Sequence, residues 1–149
     1  MKVETDPITD DEWLLRRVPV NRFRTDEVPI ISPNAFEPRI KGRDPDTDGI
    51  SLYRAACLAD PCEVLATIAP ERQHECGIVR IAVSSLRSLQ LSVKSKPDDR
   101  IKGHVVIPEL NSVDYASDKS RFTPIKERLA VMASADENIV KQPQRDRTS

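Results

Sequence analysis

Between Pro19 and Asp48 the chain sets five of its twelve prolines among charged residues with little apolar periodicity. Proline lacks the backbone N–H and fixes φ, so neither a long helix nor a central strand can run through this stretch. It reads as a long connection with short extended pieces such as "VPII". The core of the 149-residue chain must therefore come from short apolar segments on either side. At 38% hydrophobic and 32% charged residues, those segments suffice for one domain with a modest core.

The segment "EWLLRRV", anchored by Trp13, reads as a first strand. "GISLYRAAC" gives a second, with Ile50, Leu52 and Arg54 alternating against Ser51, Tyr53 and Ala55. Asp60, Pro61 and Glu63 form a helix start, with a side-chain acceptor at the cap, proline at the first position and a carboxylate in the first turn. A short helix to about Ala69 is expected. "IVRIAV" (Ile78 to Val83) is a strand by its β-branched content, "SLRSLQ" one helical turn, "LQLSVKSK" a strand with one wet face, and "HVVIPEL" a strand stopped by Pro108. Finally "SDKSRFTPIKERLAVMASA" places Phe122, Ile125, Leu129 and Met132 at helical spacing, with Arg121, Lys126, Glu127 and Arg128 on the other side. The expected fold is α+β: a mainly antiparallel mixed sheet of about five short strands, with a short middle helix and a C-terminal helix packed on it. Residues 1–10 are expected to be a flexible N-terminus, 11–135 a single domain and 136–149 a disordered tail.

Lysine plus arginine (23) nearly cancels aspartate plus glutamate (24), and the charges are interleaved without a basic block, so nucleic acid is not an expected partner. No apolar run approaches the ~18 residues of a membrane helix, and the start "MKVETDPITDDEW" lacks a signal-peptide core; no membrane association and a cytoplasmic location are expected. Three cysteines then read as free thiols or metal ligands.

The stretch "CLADPCEVLATIAPERQHEC" supplies Cys57, Cys62, His74 and Cys76, the inventory of a zinc site, although no pair has the tight-turn spacing of a zinc knuckle. The alternative is three thiols and a loop histidine with no metal. "DPDTDG" opens like a calcium loop at Asp44, Asp46, Asp48 and Gly49, but its twelfth position, normally glutamate, is Ala55. His104, after a glycine at a strand start, would be catalytic only with a carboxylate or carbonyl on one ring nitrogen and a substrate on the other. Phe23, Ile30, Ile31 and Phe36 lie in the irregular stretch, where apolar side chains without regular structure suit docking on a protein partner.

Taken together, "EWLLRRV", "DGISLYRA", "GIVRIAV" and "KGHVVIPEL" resemble a group of small bacterial proteins that carry D-G-x-S-x-Y-R and G-H-x-x-I-P-E-L segments, over roughly Trp13 to Leu129. That resemblance implies a small bacterial domain and supplies no mechanism. "LLRRV" followed by "SLYRAACLADPCEVLA" is similar to the RES-type toxins, ADP-ribosyltransferase-like proteins that consume NAD. This similarity implies that Arg17, with Arg16 as its substitute, grips the cofactor, that Tyr53 stacks near the nicotinamide, and that Glu63 stabilises charge developing on the ribose. The leading expectation is a non-catalytic intracellular accessory protein acting through protein–protein interaction, of the kind found in multi-gene defence or toxin–antitoxin systems, with no cofactor. The alternatives are an NAD-cleaving or ADP-ribosyl-transferring enzyme and a small zinc-binding module.

Overall fold

A computed structural model of the chain describes residues 1–144. Six strands, β1 (Trp13–Pro19), β2 (Ile50–Arg54), β3 (Cys76–Ala82), β4 (Lys94–Ser95), β5 (His104–Ile107) and β6 (Ile139–Lys141), form one antiparallel sheet in the order β4-β5-β2-β1-β3-β6. Among the described residues three short α-helices accompany it, α1 (Val83–Ser88), α2 (Ser112–Ser117) and α3 (Thr123–Ala133), with 3-10 turns between elements. The architecture is α+β, with six strands rather than about five. No helix among the described residues is long and apolar enough to cross a membrane.

The two faces of the sheet are covered differently. Leu14, Val18, Ile50, Leu52, Val79, Ile81, Val105 and Ile107 alternate onto one face and are buried under α3 through Leu129, Ala130 and Ala133. Leu15, Tyr53 and Ile78 point to the other face, where a smaller cluster is closed by Val64, Leu65 and Ile101. Val64 and Leu65 come from the Asp60 turn, a 3-10 turn over Pro61–Leu65 in place of a helix to Ala69.

Several expectations are corrected. The apolar residues of the irregular stretch are core residues: Ile31 and Phe36 are 0% exposed, Phe23 is 5% exposed, and Ile30 packs against them. Backbone bonds from Arg24 to Ile30 and from Ser32 to Arg22, with a bridge between Phe23 and Ile31, fold this stretch onto the sheet. Residues 2–12 are tied down as well. Arg54 is 1% exposed, and every N–H of its guanidinium finds an acceptor: two on the Glu12 carboxylate at 2.8 and 2.9 Å, and the others on the carbonyls of Glu4, Asp6 and Pro7.

"LQLSV" is mostly loop, because only Lys94 and Ser95 reach the β5 ladder. In α3 the buried stripe is rotated, taking in Lys126 rather than Met132; the Lys126 ammonium donates to Asn34 Oδ1 and to the Tyr115 hydroxyl, each at 3.0 Å. Within the expected disordered tail, Asp136–Asn138 forms a 3-10 turn and Ile139–Lys141 forms β6 against β3; residues 145–149 of that expectation lie outside the described residues.

Candidate functional site

The pairing of β1 changes along its length. On one side it matches β3 residue for residue from Trp13↔Ala82 to Pro19↔Cys76. On the other it pairs with β2 only at Leu14↔Arg54 and Leu15↔Tyr53. Past that point the strands part, and the unmade ladder bonds need other partners. Arg16 supplies them: its Nη1 donates to the Ser51 carbonyl at 2.8 Å and its Nε to the Ala35 carbonyl at 2.9 Å. Two residues beyond the last pair, on the face that carries Tyr53, come Arg17 and Ser51. Arg17 donates to Thr67 Oγ1 at 2.8 Å and lies over the Tyr53 ring at 5.7 Å.

A cleft of about 760 Å³ opens at this split, within the size range of small-molecule and cofactor sites. Its walls are Arg16, Arg17 and Ser51 from the two strands, the loop from Asn34 to Lys41 with Asp46, Thr67 and Ile68 after the Asp60 turn, and Tyr115 and Lys119. Six cationic side chains line it (Arg16, Arg17, Arg22, Arg39, Lys41 and Lys119) against the carboxylates of Glu37 and Asp46. Among the described residues only Arg22 of these six makes an ion pair, with Glu37 at 3.2 Å. Glu37 also accepts from the Tyr115 hydroxyl, and Asp46 Oδ2 accepts from the Arg39 backbone N–H, so both carboxylates are already engaged. Burial pushes the Arg16 guanidinium down to about 10, with the Asp46 charge pulling the other way. It therefore stays cationic at neutral pH, and Arg16 and Arg17 are held only by neutral acceptors.

The residues singled out in the sequence separate into groups. Arg16 and Arg17 come together here, with Tyr53 buried beneath Arg17 and not itself lining the cleft. Glu63 is exposed and closes a capping box: its carboxylate accepts from the Asp60 N–H at 3.1 Å while Asp60 accepts from Cys62. It is not among the cleft-lining residues. Cys57 and Cys76 are buried, Cys62 is exposed, all three thiols are free, and among the described residues no cluster of His, Cys, Asp or Glu could hold a metal. The proposed set of Cys57, Cys62, His74 and Cys76 is thus not assembled, for the sheet carries Cys76 into β3 while Cys62 sits on the outer turn. Burial pushes the Cys57 and Cys76 thiols up. The aspartates of "DPDTDG" are likewise spent singly: Asp46 caps Arg39, and Asp48 pairs with Lys96. Phe23, Ile31 and Phe36, buried in the core, offer no partner surface.

His104 has one of the two contacts its catalytic reading required, a carbonyl on one ring nitrogen; on the other it meets a side chain of the protein. Its Nδ1 meets the Lys96 carbonyl at 2.6 Å and its Nε2 the Ser51 hydroxyl at 2.9 Å. Sequence reasoning placed Ser51 on the face of Tyr53 without giving it a role, and it missed Arg39, Lys41, Thr67 and Lys119. The period-2 alternation of β2 and β5 could have paired Ser51 with His104; nothing local marks the loop cations. Comparison with known proteins gives no match, whether with protein-family models, curated sequences or solved structures.

Proposed function

We propose that this protein binds a phosphate-bearing ligand of nucleotide size, with NAD the first to test, in the cleft where β1 and β2 part. The observation that carries this reading is a set of cations without carboxylate partners, Arg16, Arg17, Arg39, Lys41 and Lys119, around one cavity in a chain whose net charge is −1. Cations held only by neutral acceptors keep their charge for an incoming anion, and the guanidinium fork matches phosphate oxygens; Arg16 and Arg17 are half-buried, while Arg39, Lys41 and Lys119 are exposed at the rim. Tyr53, 5% exposed, backs the Arg17 guanidinium with its ring, so it supports the cation and does not itself face the ligand. Glu63, committed to its turn, is left out of the binding set.

A thermal-denaturation series tests the reading. NAD and ADP should raise the melting midpoint in proportion to the logarithm of their concentration, and adenosine, which lacks phosphate, should not. Equal shifts with adenosine, or no shift with either phosphate-bearing ligand, would remove the basis of the proposal. Following nicotinamide release in the NAD sample separates binding from turnover.

A further inference from the structure

The Lys96 carbonyl can only accept, so the Nδ1 that faces it at 2.6 Å must carry the proton. In the neutral imidazole Nε2 is then unprotonated, and at 2.9 Å it accepts the Ser51 hydroxyl proton. The ring is held in that attitude by Tyr53, whose centroid lies 5.3 Å away at an interplanar angle of 46°. The strand register accounts for the meeting: Tyr53↔His104 is a cross-strand pair, and Ser51 is the next residue on the same face of β2. Ser51 is also on the wall of the cleft, and its own carbonyl is fixed by Arg16. Hydroxyl, base and a third group orienting the base are the three parts of an activated nucleophile.

We propose that Ser51 is a nucleophile with His104 as its general base, acting on the phosphorus of a phosphate ester or anhydride held by the cleft cations. The substrate class rests on the anion-binding reading above; the nucleophile does not. In the first step the Ser51 Oγ–P bond forms as the bond from phosphorus to the leaving oxygen breaks. The hydroxyl proton passes to His104 Nε2 and on to the leaving oxygen. Water then attacks the phosphoserine, giving its proton to the same nitrogen, and as the Oγ–P bond breaks to release phosphate that proton passes from Nε2 to the Ser51 Oγ, restoring the serine and the free base. The net reaction is hydrolysis, with no redox change and no co-reactant but water. Arg17, on the same face of the sheet as Ser51 and on the same cleft wall, is the cation assigned to meet charge on the phosphoryl oxygens.

The test is covalent labelling of the full chain with an alkyl fluorophosphonate, whose fluoride leaves as the Ser–P bond forms, followed by peptide mass spectrometry; ADP binding is measured on the same wild-type preparation. The expected result is an adduct on the peptide containing Ser51, none in Ser51→Ala, and labelling slowed on the order of a hundredfold in a folded His104→Gln. Unmodified Ser51 in folded wild-type protein, or equal labelling of His104→Gln, would overturn the nucleophile. Labelling of Ser51 in protein that binds no ADP would uphold the nucleophile and overturn the phosphate substrate class, so the two failures are distinguishable.

Discussion

Arg54 on β2 and the pair Arg16 and Arg17 on β1 lie on neighbouring strands of one sheet, yet the fold treats them in opposite ways. Arg54 is enclosed, bidentate on Glu12 and donating to three further carbonyls, so its charge is matched and its donors are used up. Arg16 and Arg17 face a cavity, touch only neutral acceptors and have no carboxylate within ion-pair distance among the described residues. An arginine whose charge is matched from within the chain holds the chain together. One left unmatched at a cavity wall costs stability unless a ligand completes it.

The contrast is broken most directly at the matched site. Glu12→Ala leaves the Arg54 guanidinium buried without its counter-charge and should destabilise the fold by about 3–5 kcal/mol in chemical denaturation, since removing one partner of a buried pair strands the other. A wild-type midpoint retained in Glu12→Ala would mean that Arg54 is not the clasp described.

The same pair should announce itself in acid. Burial alone would push the Glu12 carboxyl up, but hydrogen bonds from Arg54 and Thr9, with the Arg54 charge, hold it at about 2 against an ordinary value of 4.5. A carboxyl lowered in the folded state contributes stability that is complete above its unfolded value and lost as pH falls through its folded one. Denaturation midpoints should therefore drop between about pH 4.5 and 2 in the wild type, and this component of the drop should be absent in Glu12→Gln.

At the unmatched site the signs differ. Arg17→Met should change stability by less than about 1 kcal/mol while weakening nucleotide binding by about 10- to 100-fold, the worth of one charge-assisted hydrogen bond. A variant that lost stability and kept binding would reverse the roles assigned to the two arginine sites.

The smallest effect concerns the thiols. Cys62 should react with an alkylating reagent under native conditions while buried Cys57 and Cys76 do not, giving one fast thiol per chain. Two or three fast thiols would place Cys57 or Cys76 outside the core.

Much of this frame is legible in sequence where periodicity speaks. β1, β2, β3 and β5 follow their alternating or β-branched runs, the Asp60–Glu63 capping box is as expected, and α3 lies where helical spacing put it. What was not legible depends on partners distant in sequence. The N-terminal residues have no apolar pattern and are fixed instead by carbonyls that Arg54 happens to reach. Phe23, Ile31 and Phe36 look stranded among prolines, but they fold under α3 and the sheet. Lys126 is buried because Asn34 and Tyr115 accept its ammonium, which no helical wheel records. The cleft is the extreme case: its cations come from β1, from the loop near position 40 and from Lys119, so interleaved charge along the chain becomes concentrated charge in space.

The central claim is that the unmatched cations of the β1–β2 split hold a phosphate-bearing ligand, and calorimetric titration of NAD into wild-type protein and into the Arg16→Met, Arg17→Met double variant addresses it most directly. The account predicts saturable one-to-one binding that weakens with added salt and is lost in a double variant that still melts cooperatively. Binding that is absent from the wild type, or equal in the two proteins, would contradict it.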